Sequence, residues 1–348
     1  MSGPHRAPTR TLRWSRLRAG ALGAVVIALL GGCAAPQPVP SAEPILEPEL
    51  ADDYARMPDG FRLPLRTWGS SGSDTLVLGL HGFNDYGNAF APLAERLAAD
   101  GMRVYAVDQR GFGAGLLPGR WHGSAQLTAD LRDLADVLRR RHPGSRLYVV
   151  GESMGAAVVL AALADDPLPV DGIVLIAPAV WDRASMPWYQ RAALDTLARL
   201  APRALLTGQG VPIHPTDNMP MLRAMGDDPL VLKGARVDAL WGVTNLMDRA
   251  AAGVRQLRGP TLLLYGERDY IIPRAAYCRM LGQLPPDASR LRLALYRYGW
   301  HMLPRDRQGA RVRHDIAEWM RDPSSALPSG EEVTLGDARL RRLCGGNL

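Results

Sequence analysis

The chain has 348 residues, 47% hydrophobic and 22% charged, which supplies a full core and excludes a disordered chain, a collagen-like repeat and a disulfide-stapled miniprotein. Its formal charge of +6 belongs to the N-terminus: residues 1–32 hold Arg6, Arg10, Arg13, Arg16 and Arg18 and no acid, and without them 36 basic residues face 35 acidic ones. Nucleic acid would want a basic stripe on the folded part, whose charges nearly balance, so no nucleic-acid partner is expected.

Residues 6–18 are Arg-rich and precede an apolar run over 19–30. That run is too short for the roughly 20 residues of a membrane-spanning helix and suits the apolar region of an export signal. It ends in Leu30-Gly31-Gly32-Cys33. Small residues before a cysteine resemble the bacterial lipobox, which implies a signal peptide over 1–32, acylation of Cys33 and a location in the bacterial cell envelope, held to a membrane by lipid. Several acyl chains anchor stably where one does not. Pro36, Pro38, Pro40, Pro44 and Pro48 follow and favour extended chain, so 33–51 is expected to be a tether holding the domain off the bilayer. An exported compartment would permit a bridge between the other two cysteines, Cys278 and Cys344, but sequence does not show their proximity. No Cys/His spacing resembles a metal site, and no cofactor is expected.

The body alternates strand and helix. A segment over 53–68, with a turn at Pro58-Asp59-Gly60, is expected to be a leading hairpin. Short runs rich in Val, Leu and Ile follow at 75–80, 103–108, 146–151, 172–177 and 261–265, each bounded by Gly, Pro or Asp. Continuous apolar runs of this length fit strands buried on both faces. Between them, Ser124 is expected to cap a helix whose Leu127, Leu131, Leu134 and Leu138 share a face, stopped by Pro143-Gly144. The alternation implies an α/β fold with a mostly parallel sheet flanked by helices. The core is expected over 52–181 and 251–322, with a tail over 323–348. Residues 182–250 break the rhythm, being too long for a plain crossover. They hold Met186, Met219, Met221, Met225 and Met247, with Trp188 and Trp241, and suggest an inserted helical lid with a pliable apolar lining.

Gly151-Glu152-Ser153-Met154-Gly155 directly follows the strand at 146–151 and opens a helix-forming run. Gly-x-Ser-x-Gly at a strand-to-helix junction holds a serine on a sharp exposed turn, with glycines relieving crowding and a helix N-terminus favouring developing negative charge. A serine hydroxyl needs a base, and the base an orienting group. His301, in Gly299-Trp300-His301, follows the last long strand; Asp269, in Gly266-Glu267-Arg268-Asp269, follows the strand before it. Asp182 is the rival acid. Loops gather at the carboxyl edge of a parallel sheet, where all these residues are expected. The amides of Phe83, after His81-Gly82, and of Met154 are the expected oxyanion donors. His81 is expected to brace its loop, and Asp108-Gln109-Arg110-Gly111-Phe112-Gly113 to form a structural turn near the site.

These five motifs together resemble the α/β-hydrolase superfamily, in the branch of monoacylglycerol lipases, lysophospholipases and serine aminopeptidases, over about residues 52–320. Met302 stands where that branch often has Glu, and Phe112 where its turn often has His. The resemblance implies an α/β-hydrolase fold and a serine hydrolase cleaving carboxylic esters, with a small-molecule acyl ester such as a monoacylglycerol or lysophospholipid as substrate. Ser153 would be the nucleophile, His301 the base and Asp269 its orienting acid. Three alternatives stay open: an aminopeptidase-like amide hydrolase, in which Asp182, Asp217, Asp227 or Asp228 would hold the substrate ammonium; a non-catalytic acyl-binding envelope lipoprotein; and acyl transfer to an acceptor other than water.

Overall fold

The apolar runs expected as strands form the middle of one sheet. The computed structural model describes residues 34–208 and 214–346. The expected signal segment 1–32 and Cys33 lie outside the described residues. The strands are β1 (Glu49–Leu50), β2 (Tyr54–Arg56), β3 (Arg62–Trp68), β4 (Thr75–Leu80), β5 (Arg103–Val107), β6 (Arg146–Glu152), β7 (Gly172–Ile176), β8 (Leu205–Thr207), β9 (Gly234–Arg236), β10 (Thr261–Gly266), β11 (Leu291–Tyr296) and β12 (Glu332–Val333). The helices are α1 (Ala91–Ala99), α2 (Ser124–Arg141), α3 (Met154–Asp165), α4 (Trp188–Leu200), α5 (Met219–Asp227), α6 (Val237–Gly253), α7 (Arg274–Leu281), α8 (Gly309–Arg321) and α9 (Ala338–Leu343).

Among the described residues, ten strands join in the order β1-β2-β3-β5-β4-β6-β7-β10-β11-β12. The six from β5 to β11 are parallel, and β1–β3 and β12 add antiparallel edges. Strand alternation divides the core between two faces. Leu76, Leu78, Leu80, Leu147 and Val149 face one side, with α2, α3 and α6; Val77, Tyr148 and Val150 face the other, with α1 and α8. Burial on both faces is why these strands are apolar throughout, each large side chain contributing about 1.5–3 kcal/mol. Register then aligns the strand ends: Leu80 lies opposite Gly151, Gly151 opposite Leu175, and Gly266 opposite Tyr296. The loops after β4, β6, β10 and β11 therefore open at one edge.

The hairpin forms as expected, with Gly60 at φ 80° and the Phe61 amide donating to Asp59. Ser124 departs from expectation. It is the first helical residue of α2, and the cap is Gly123, at φ 94°, with no side-chain hydrogen bond. The chain enters α2 through a left-handed backbone that glycine adopts freely.

The proline-rich stretch is not a free linker along its length. Val39 donates its amide to the Trp121 carbonyl at 2.8 Å, Leu46 donates to Pro58, and β1 is paired in the sheet. Residues 182–250 are not purely helical, because β8 and β9 pair into a separate antiparallel ribbon. The last helix of that stretch, α6, packs in the core layer against α3. The tail carries β12 and α9, and Cys344 is disulfide-bonded to Cys278 of α7, with Cα atoms 5.6 Å apart.

Candidate active site

Ser153 sits between β6 and α3 at φ 53°, ψ −110°, a strained conformation that turns the chain sharply from strand into helix. Two close approaches explain the glycines around it. A β-carbon at Gly151 would meet Ala156 at 2.5 Å, and one at Gly155 would lie 1.9 Å from the Leu80 carbonyl oxygen. The Ser153 amide donates to Ile176, and its carbonyl accepts from Ala157 and Ala179, so the turn is anchored to neighbouring elements.

The loop after β4 runs alongside. A β-carbon at Gly82 would lie 3.4 Å from Ser153 Cβ and 4.0 Å from Oγ, so Gly82 backbone abuts the serine. Among the described residues, the amides of Phe83 and Met154 donate no backbone hydrogen bond. His81 is wholly buried and braces this loop. Its Nδ1 donates to the Gly82 carbonyl at 2.8 Å and its Nε2 accepts from the Gln109 amide at 2.9 Å, a pattern that suits the neutral ring. Burial pushes its pKa below the ordinary 6.5. The turn after β5 is structural: Asp108 accepts from the amides of Gly87 and Ala114, and buried Arg110 joins Asp59 to Asp130.

His301 follows β11, and its Nδ1 is 2.8 Å from Oδ2 of Asp269, in the loop after β10. Both side chains are buried. The other Asp269 oxygen accepts from the amides of Ile271 and Ile272, which holds the carboxylate in place. Burial opposes a charged imidazole at His301. The Asp269 carboxylate, by charge and hydrogen bond, and the charge of Glu152 outweigh that, and the ring titrates above its ordinary 6.5. With Nδ1 held, Nε2 is the nitrogen left to exchange protons. Asp182, the rival acid, is engaged elsewhere: Oδ1 accepts from the Ser185 amide, and Oδ2 lies 3.8 Å from Arg279.

Two groupings escaped the sequence reading. Buried Arg305 reaches Asp85 at 2.7 Å and Glu152 at 3.2 Å. Beside it, Asp306 accepts from the Thr216 hydroxyl and the Trp300 amide, and burial pushes its carboxyl up to about 7 despite those donors. The available signals were slight: an acid inside the Gly-x-Ser-x-Gly motif and an arginine four residues past the histidine.

A parallel sheet layered by helices, with a serine turn and a histidine–aspartate pair at one edge, defines the α/β-hydrolase class. Residues 72–308 match the family described as "Serine aminopeptidase, S33". The chain belongs to that family. It is 26% identical to a monoacylglycerol lipase of Mycolicibacterium smegmatis, over 70% of this chain and 87% of that one. It is 25% identical to the human monoglyceride lipase, over 75% and 88%. Among solved structures, the Paleococcus ferrophilus monoacylglycerol lipase superposes with a TM-score of 0.64 at 23% identity, covering 75% of this chain and 99% of that one. A soluble variant of the Saccharomyces cerevisiae monoglyceride lipase, in complex with a substrate analog, gives 0.62 at 18%, covering 84% and 100%. At such identities, the structural likeness shows the fold.

Proposed function

We propose that the protein hydrolyses carboxylic esters of single-chain lipids, monoacylglycerols or lysophospholipids, through an acyl-enzyme on Ser153. The observation that carries this reading is the pairing of His301 with Asp269 at the sheet edge onto which the strained Ser153 turn opens. Nε2 of His301 takes the hydroxyl proton as Ser153 Oγ bonds to the ester carbonyl carbon. The amides of Phe83 and Met154 receive the oxyanion, and Asp269 stabilises the imidazolium. Collapse breaks the ester C–O bond, and the alcohol leaves with the proton from His301. Water, deprotonated by the same nitrogen, then releases the acid and restores Ser153.

Lipid is favoured over aminoacyl substrates because three of the four acids that could hold an ammonium are otherwise engaged. Asp182 serves its own turn, Asp217 accepts from the Arg307 amide, and Asp228 accepts from the Tyr86 hydroxyl at 2.6 Å. Of the insert over 182–250, the part before α6 would act as the lid, since α6 itself belongs to the core layer, and acylated Cys33 would hold the enzyme at the envelope membrane that supplies the substrate.

Ser153→Ala is expected to abolish turnover of a p-nitrophenyl ester and labelling by a fluorophosphonate, with the circular dichroism spectrum unchanged. Turnover near the wild-type rate rejects the assignment. Monoacylglycerols, lysophospholipids and aminoacyl amides assayed side by side decide the substrate class, and preference for the amides overturns the lipid reading. Incorporation of a labelled fatty acid by the wild type, lost in Cys33→Ser, tests the anchor.

A further inference from the structure

Arg305 stands where three loops meet. Its Nη1 donates to Asp85 Oδ2 at 2.7 Å, and its Nη2 faces both Glu152 oxygens at 3.2 and 3.3 Å. Asp85 lies two residues beyond Phe83 in the loop after β4, Glu152 immediately precedes Ser153, and Arg305 itself follows His301 by four. All three side chains are at least nine-tenths buried. A charge removed from water is expensive to keep and far more expensive to leave unpaired, so each member constrains the position of the other two. The loops it joins carry the expected oxyanion donor, the nucleophile and the base, from elements up to 220 residues apart.

We propose that Arg305 is a positioning residue: by clasping Asp85 and Glu152 it locks the oxyanion loop, the Ser153 turn and the His301 loop into one unit and so sets the serine against its base. This rests on the hydrolase reading above. A misplacement of about 1 Å from a residue away from the chemistry lowers rates on the order of 100-fold, so the effect falls on kcat. The same arginine orders the wall beyond the histidine, since its carbonyl accepts from Asn218 Nδ2 at 2.9 Å, at the start of α5.

The test compares the full chain with Arg305→Met, Arg305→Lys, Glu152→Gln and the triple variant Asp85→Asn/Glu152→Gln/Arg305→Met. Each is assayed for kcat and KM on a p-nitrophenyl ester, for the rate of fluorophosphonate labelling and for melting temperature. Arg305→Met is expected to lower kcat and the labelling rate together by about 100-fold, with KM within about threefold. The triple variant removes every charge of the group, so its melting temperature recovers while its kcat stays low. It keeps the test open if Arg305→Met does not fold. Arg305→Lys, which keeps the charge without the fork, regains part of the rate. Glu152→Gln removes a negative charge acting on His301, so the acid limb of kcat/KM moves to lower pH. Recovery of kcat alongside melting temperature in the triple variant, or an Arg305→Met with wild-type kcat and labelling, overturns the positioning role. Wild-type protein that ignores the fluorophosphonate overturns the hydrolase reading instead.

Discussion

Under the proposed mechanism, catalysis and folding ask opposite protonation states of His301. As a base it must be neutral, so kcat/KM is expected to fall as pH drops through its folded pKa, with a midpoint above the ordinary 6.5 because Asp269 and Glu152 outweigh burial. Its contribution to stability has the other sign. A histidine whose pKa rises on folding stabilises the native state fully below the unfolded pKa and loses that contribution as pH rises through the folded one. Asp269→Asn should therefore shift the acid limb downward and remove more stability at about pH 5.5 than at about pH 8.5. Denaturation midpoints at the two pH values check this, and an acid limb that stays in place contradicts the assigned pairing. At this scale the sequence was legible where a residue carries a local signature. Ser153 announces itself through flanking glycines and a strand-to-helix junction, and His301 and Asp269 through their places after strands. Asp85, Glu152 and Arg305 have no such signature, because what makes them a group is convergence in space.

Elements pack here through positions where no side chain fits. A β-carbon at Gly253 of α6 would lie 1.7 Å from the Leu160 carbonyl oxygen of α3, so the two helices cross with backbones in contact. Gly253→Ala forces them apart and is expected to destabilise the fold by roughly 1–3 kcal/mol. The readout is a lower urea midpoint at unchanged slope; an unchanged midpoint would show that the helices can separate freely. The long apolar strands were legible because burial on both faces writes itself into composition: β4 spans the expected 75–80, and β5, β6, β7 and β10 differ from expectation by one residue at their ends. The short edges β1 and β12 and the β8–β9 ribbon were not legible. Strands of two or three residues have no periodicity of their own and exist because a partner supplies hydrogen bonds. The sequence points to Ser124 as the cap of α2 for a related reason: Gly123, the actual cap, acts through backbone conformation and leaves no polar side-chain signal.

For the whole molecule, the Cys278–Cys344 bridge closes a separation of 66 residues and ties the tail back onto α7. Chain-entropy arguments assign a loop of that length about 4 kcal/mol. Cys344→Ser is expected to lower the melting temperature by on the order of 5–10 °C, and reduction of the wild type to do the same. A melting temperature insensitive to both would mean that the tail is held by Leu340, buried, and by Arg339 with Glu267 and Glu331, without need of the bridge. The proline-rich stretch is likewise tied to the body, at Val39 and Leu46 and through β1.

Composition and pattern alone determined the α/β alternation, the central strands and the serine, histidine and aspartate to consider, because burial and sharp turns impose their demands on neighbouring residues. Tertiary structure alone decided that His301 pairs with Asp269 and not Asp182, that the last two cysteines meet, and that three buried charges join the loops around Ser153. Those outcomes depend on which strand ends share an edge, a property of register and crossover that no local stretch of sequence contains.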